Sequence, residues 1–257
     1  MFIDTHAHYD DAAFAEDRDS ILNKVHTSGC IAIVNAAQDI ASAEFSVKMA
    51  ANYSYVYAAV GIHPHNAAAC TTASMGKIEK LADHPKVVAI GETGLDYHYN
   101  FCSRELQAHN FRQHIRLAKK IGKPVVVHDR EAHEDTLRIL KEEDAASCGC
   151  VIHCFSGSAE MGAEIIQRGY LVSLGGAVTF KNARRIIEAL HILPLDKIML
   201  ETDCPYMTPE PFRGRRNDSG NIPLIAQKIA DIKGEKLEKI LAITSENAAN
   251  FFHIQMG

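Results

Sequence analysis

The first residues able to do chemistry are His6 and His8, which follow the short apolar run Phe2-Ile3 near the N-terminus. In an extended chain alternate side chains point to one side, so two imidazoles two residues apart face the same way. That is half a metal site. A lone His-x-His is more often one structural and one exposed histidine, but here the pattern recurs. Glu92, His128, His153 and Asp203 also sit at the ends of short apolar runs. Six candidate ligands exceed what one tetrahedral structural zinc needs and suit a pair of ions about 3.5–4 Å apart. A carboxylate has two oxygens with which to bridge two ions, and Glu92 is the candidate bridge. A metal pair lowers the pKa of a bound water, presents hydroxide at neutral pH and stabilises charge on the attacked and leaving oxygens. The chemistry expected is hydrolysis of a phosphoester, or of an amide or ester.

The elements that must position these groups alternate regularly. Runs at Phe2-Ile3, Ile31–Asn35, Tyr55–Val60, Val87–Ile90, Pro124–Val127, Cys150–Ile152, Tyr170–Leu174 and Lys197–Leu200 read as buried strands. Between them lie helical patterns from about Phe14 to His26, Ile40 to Asn52, Thr72 to Asp83, Ser103 to Ile121, Ala132 to Glu142, Ala159 to Arg168 and Ala183 to Leu190. Two more, Ile222 to Lys233 and Glu235 to Phe252, close the chain. Ser103 and Gly122 have the residue types of an N-cap and a C-terminal stop. This alternation, without a compositional break, predicts a single (β/α)8 TIM barrel spanning residues 1–257. A doubly wound sheet is the alternative, but it gathers ligands from strands one, four, five, six and eight less readily. In a barrel all the candidates fall at C-terminal strand ends, the face that carries active sites.

Composition is that of an ordinary soluble globular protein able to bury a full core, 47% hydrophobic and 23% charged. A net charge of −5 excludes a global basic field for wrapping duplex nucleic acid, so any such contact is expected to be local, as with a strand end. Seven cysteines are odd in number, and Cys148, Cys150 and Cys154 lack a matching second pair for a zinc knuckle. Reduced thiols in a cytoplasmic protein are the expectation. Asp4 and His6 stand where a signal peptide would be basic and then apolar, and no stretch approaches the roughly 18 apolar residues of a membrane span. No obligate protein partner is indicated.

Several blocks carry a resemblance. They are Phe2–His8, Gly61-Ile62-His63-Pro64-His65, Gly91–Tyr97, Val127–Ala132, His153–Ser158, Val178–Asn182 and Glu201–Tyr206. In these the sequence resembles the TatD family of metal-dependent hydrolases, within the amidohydrolase-like metallo-barrels, from end to end. The resemblance implies a TIM barrel with a binuclear site. His6, His8, Glu92 and Asp203 would hold one ion, and Glu92, His128 and His153 the other. It also implies phosphodiester hydrolysis, typically as a deoxyribonuclease trimming 3′ ends of single strands. One departure stands out. After Arg213-Gly214 the family continues with a basic residue, Arg-Asn, then Glu-Pro, whereas this chain reads Arg215-Arg216-Asn217-Asp218-Ser219. That puts the loop's substrate contacts, not the metals, in question.

Around the ligands, His63, His65, Asp96, Arg130 and Arg213 are candidate substrate contacts, the two arginines as two-donor phosphate clamps. Glu201, two residues before Asp203, is expected deeper in the barrel and outside the ligand set. Gly175-Gly176 either admits a substrate or shapes a turn. Asp203 is expected both to ligate and to accept the proton of the attacking water. Four imidazoles favour bound zinc, manganese, nickel or iron, with magnesium or manganese possible in the working enzyme. Two rival functions remain. One is an amide, ester or lactone hydrolase on the same barrel, including hydrolysis of aminoacyl-tRNA esters. The other is a non-catalytic metal-holding protein, disfavoured because structural sites are normally closed.

Overall fold

The computed structural model describes residues 1–99 and 101–255; residues 100, 256 and 257 of the predicted domain lie outside the described residues. The strands are β1 (Phe2–Ala7), β2 (Cys30–Ala36), β3 (Val56–Val60), β4 (Val87–Asp96), β5 (Val125–Arg130), β6 (Cys150–Ile152), β7 (Leu171–Leu174) and β8 (Ile198–Leu200). The helices are α1 (Arg18–Thr27), α2 (Ile40–Asn52), α3 (Thr72–Ala82), α4 (Arg104–Ile121) and α5 (His133–Glu142). They continue as α6 (Ala159–Gln167), α7 (Arg184–Ile192), α8 (Ile222–Lys233) and α9 (Leu237–Phe252). Sheet order follows chain order from β1 to β8, the (β/α)8 class of fold that the alternation predicts. Contacts divide the chain into two compact units: Met1–Asn35 with Cys154–Gly257, and Ala36–His153.

In the first unit β1 pairs in parallel with β2, and β7 with β8. Ala7 at the end of β1 forms a parallel bridge with Cys204, just beyond β8. Every residue of β1 is buried, so this strand holds polar Asp4, Thr5 and His6 inside the protein. Phe14, expected to start a helix, instead ends a short 3-10 turn capped by Asp11, and α1 begins only at Arg18. Phe14 is fully buried against Tyr9, with ring centroids 4.7 Å apart, and the core takes it out of the helix. Burying such a ring contributes roughly 1.5–3 kcal/mol, more than its helix propensity.

In the second unit β3, β4, β5 and β6 pair in parallel. The sequence marked β4 as ending at Ile90, yet it runs on to Asp96 with all ten residues buried. Its pairing with β5 resumes after a register shift between Ile90 and Thr93, with Gly94 opposite His128 and Asp96 opposite Arg130. Gly94 is required there. Its φ is +138°, and a Cβ would stand 2.0 Å from the His128 carbonyl oxygen. α4 has the predicted ends: Ser103 accepts from the Leu106 amide, and Gly122 closes the helix at φ 68°.

Candidate metal centre

In the first unit the ligand candidates converge. His6 Nε2 lies 3.2 Å from His8 Nε2, and Asp203 Oδ1 lies 3.2 Å from His8 Nε2 and 3.9 Å from His6 Nε2. One donor atom from each of the three falls within 4.8 Å of the others, a spacing that fits one ion. The local backbone explains the convergence. His8 donates its amide to Cys204 O at 2.8 Å, and the Asp203 amide donates to His6 O at 2.9 Å, stitching the end of β1 to the exit of β8. Asp203 itself sits at φ 54°, a left-handed conformation that aspartate tolerates better than most residues.

Beneath this cluster is a residue outside the predicted set. Asp4 is fully buried and accepts from the Thr202 amide at 2.9 Å, Thr202 Oγ1 at 2.5 Å and the His6 amide at 3.3 Å. It thereby ties both ligand-bearing segments to one carboxylate. Burial pushes Asp4 up to about 7, against the hydrogen bonds from Thr202, Ser219 and His6 that favour its charged form. Its sequence signal was plain in retrospect: an acid in the middle of a buried strand needs partners.

In the second unit Glu92 is the hub. Its Oε1 lies 2.8 Å from His128 Nδ1, 2.8 Å from His153 Nε2 and 3.4 Å from His63 Nε2, while His128 Nδ1 and His153 Nε2 are 3.3 Å apart. On its other side His128 Nε2 meets Asp96 Oδ2 at 3.0 Å, and a carboxylate there makes that nitrogen the donor. His128 Nδ1 faces a carboxylate oxygen and a second imidazole; burial lowers His128, but the hydrogen bonds to Asp96 and Glu92 raise it overall, so this point favours positive charge. A shared cation relieves that arrangement, so the residues present fit a metal ion. With an ion at Nδ1, Asp96 would be the carboxylate that orients the ring from its far side.

The five predicted substrate contacts separate on inspection. His63 is buried, accepts the His65 amide on Nδ1 at 3.1 Å, and joins the ligand cluster with Glu92 and His128. Burial brings it down to about 4, outweighing the Glu92 carboxylate. Asp96 is also buried. Its Oδ1 accepts from the amides of His98 at 3.0 Å and Tyr99 at 2.9 Å, and its Oδ2 faces His65 Nε2 at 2.9 Å as well as His128. Burial alone would raise it, but the hydrogen bonds from His128, Tyr99 and His65 hold it well below the usual carboxylate range. Those commitments suit positioning rather than substrate contact. His65 is half-buried. The exposed guanidinium of Arg130 lies 4.8 Å from the Tyr99 ring centroid, and the exposed guanidinium of Arg213 lies 3.8 Å from that of Phe180. Both arginines remain open to solvent.

The loop after β8 accounts for the departure at 217–219. Buried Asn217 donates to Thr202 O at 2.9 Å and Tyr206 O at 2.7 Å, and Asp218 caps the turn leading into α8 through the Gly220 amide. Ser219 is buried, with Oγ 2.9 Å from the Tyr9 hydroxyl. Arg216 forks onto Asp17 and so serves as a clamp within the unit. Gly176 is there for packing: a Cβ would stand 1.8 Å from Met207 O.

A polar stripe on the buried face of α4 was missed altogether. Gln107 donates to Asp96 O at 3.0 Å and accepts the Asp96 amide at 2.8 Å. Asn110 donates to Ile62 O at 2.7 Å, and His114 Nε2 accepts the Ile62 amide at 3.0 Å. His114 Nδ1 donates to Asn110 O at 2.8 Å, which fixes the tautomer. These three residues lie at i, i+3 and i+7, one helical face, and hold the exits of β3 and β4 by their backbones. Burial lowers His114 to about 4.

A (β/α)8 fold whose strand exits carry clusters of imidazole and carboxylate defines the class of barrel metallohydrolases. The model of the TatD related DNase family matches residues 3–253. The metal-dependent hydrolase YabD of Bacillus subtilis is 40% identical over 254 residues, covering 99% of this chain and all of that protein. The 3′-5′ ssDNA/RNA exonuclease TatD of Escherichia fergusonii is 34% identical, over 94% of this chain and 95% of its own. The crystal structure of YJJV, a TatD homologue from Escherichia coli, superposes with a TM-score of 0.93 at 29% identity, over 99% of this chain and 98% of that one. The chain belongs to the TatD-related DNase family and is a metal-dependent hydrolase.

Proposed function

We propose that this chain is a phosphodiesterase that removes nucleotides from the 3′ ends of single-stranded DNA or RNA, working as a single catalytic domain with two divalent ions. The observation that carries this reading is the pair of clusters, His6–His8–Asp203 in one unit and Glu92–His128–His153 in the other, each with ligand atoms in mutual contact range. The name of the Escherichia fergusonii relative supports the substrate. Bound ions would supply Lewis acidity that ionises water at neutral pH and neutralises charge on the phosphate oxygens. His128 would ligate through Nδ1 because Asp96 holds its Nε2 proton. Asp203 would accept the proton of the attacking water, and Arg130 and Arg213 would orient the phosphate. The imidazole-rich donor set supports zinc, manganese, nickel or iron over magnesium as the ions retained. Seven free cysteines support a reducing, cytoplasmic setting.

The test uses purified protein with 5′-labelled single-stranded DNA and RNA alongside a panel of esters, lactones and aminoacyl-tRNA, with manganese, zinc or magnesium and with chelator. A ladder shortening from the 3′ end, abolished by chelator, is expected. Rapid ester cleavage with both strands left intact would overturn the reading.

A further inference from the structure

A cluster of rings beside the second-unit ligands is unused by the reaction as described. Tyr99 is 41% exposed and Phe101 67% exposed, unusual for large rings. The two are stacked, with centroids 5.5 Å apart and planes 14° from parallel. His65 braces both edge-on, at 5.4 Å from Tyr99 and 4.9 Å from Phe101. The Arg130 guanidinium lies over the Tyr99 ring. The shelf is anchored to the candidate centre, because the Tyr99 amide donates to Asp96 Oδ1 and the same carboxylate holds His65 and His128.

From this juxtaposition we infer that Tyr99 and Phe101 form a stacking platform for a nucleobase at the end of a single strand, with Arg130 taking an adjoining phosphate. The inference rests on the proposal that single-stranded nucleic acid is the substrate, and it adds how a strand is held. Exposed parallel rings beside an arginine are the chemistry that grips an unpaired base of any sequence. A protein of net charge −5 must bind a polyanion against its own field, so affinity from stacking fits it better than affinity from many phosphate contacts. A duplex end hides its base faces within the stack, so the shelf would also select single strands.

The experiment uses the full chain with EDTA to stop turnover and a short DNA strand carrying 2-aminopurine as its 3′-terminal base. Stacking should quench the probe on binding. Phe101→Ala and Tyr99→Ala should each weaken binding about tenfold or more and remove most of the quench. Phe101→Tyr and Tyr99→Phe, which keep the rings, should bind like the parent and so control for misfolding. The logarithm of affinity should fall only weakly with the logarithm of salt, with a slope of about −0.7 to −1.4 for one or two phosphates. With metal restored, the parent should prefer a base-bearing over an abasic 3′ terminus about tenfold, and Phe101→Ala should not discriminate. Quenching without any nucleic-acid cleavage would sink the phosphodiesterase reading and leave the shelf standing. Cleavage with alanine variants that bind and discriminate like the parent would sink the shelf alone. Absence of quenching in the parent would overturn the shelf outright.

Discussion

Asp96→Asn isolates the orienting carboxylate from the ligands it serves. Four donors converge on Asp96: two backbone amides on Oδ1 at 3.0 and 2.9 Å, and two imidazole nitrogens on Oδ2 at 2.9 and 3.0 Å. Asparagine has a single acceptor oxygen, so one pair must lose. If the oxygen keeps the amides, the NH2 confronts the His128 Nε2 proton. The ring then relaxes by moving its proton to Nδ1, the nitrogen that faces Glu92, and loses its use as a ligand. The lost charge-assisted hydrogen bond is worth about 1.5–3 kcal/mol, in line with the 10- to 100-fold loss typical of such outer partners. If the amide instead flips, the part-buried amides of His98 and Tyr99 face NH2, and stability falls by up to about 1 kcal/mol for each.

Either outcome is measurable. Zinc or manganese affinity, titrated against a competing chelator, should fall 10- to 100-fold, or Tm should drop by several degrees with affinity intact. Turnover should recover substantially at saturating metal in the first case, because the Asp96 carboxylate is committed to two backbone amides and two imidazoles. A variant with both metal affinity and Tm unchanged would refute the reasoning.

Two further predictions follow from the same geometry. Asp203→Asn keeps one ligating oxygen but removes the basicity, so it should retain much of its metal while kcat falls about 10²- to 10⁴-fold; normal turnover at full occupancy would pass the base to another group. His114 is lowered from 6.5 to about 4, so below pH 6.5 the unfolded chain takes up a proton that the folded chain refuses. Stability is therefore lost as pH falls from 6.5 towards 4. By pH 5 the loss is about 2 kcal/mol, and His114→Gln, though weaker at pH 7, should lose about that much less between pH 7 and 5 in urea unfolding. Equal losses in the two proteins would exclude His114 as the cause.

The alternation of elements was legible because most strands are short apolar runs closed by a glycine, histidine or acid, and helical periodicity fills the spaces between them. Ser103 and Gly122 bound α4 from both sides, and the structure has them in those roles. The ligand candidates were legible because a buried run rarely ends in an imidazole by chance, and His6 and His8 do face one another as alternation requires. Boundaries failed where tertiary pairing overrode local signal. Gly91 and Gly94 read as a loop, yet β5 extends the ladder past them to Asp96. Burial and hydrogen bonding were not legible either: His63 and Asp96 have the residue types of substrate contacts, and the structure shows both buried and hydrogen-bonded within the protein.

The α4 stripe shows what periodicity leaves out. A helical pattern sorts residues into apolar and polar, and Gln107, Asn110 and His114 count as polar wherever they point. They point inward, among Phe111, Ile115 and Leu117, where an unpaired amide would cost several kcal/mol. Such residues persist in a core only when something there needs donors and acceptors. Here it is backbone: Ile62 and Asp96 each have both their amide and their carbonyl engaged by this helix. Ile62 immediately precedes His63, and Asp96 is the residue that orients His128. A helix outside the sheet thus sets two side chains of the cluster while contributing no ligand. Preorganisation of this kind keeps the donors close to their working geometry, and it explains how β4 can carry glycines through its ligand-bearing stretch without loosening the site.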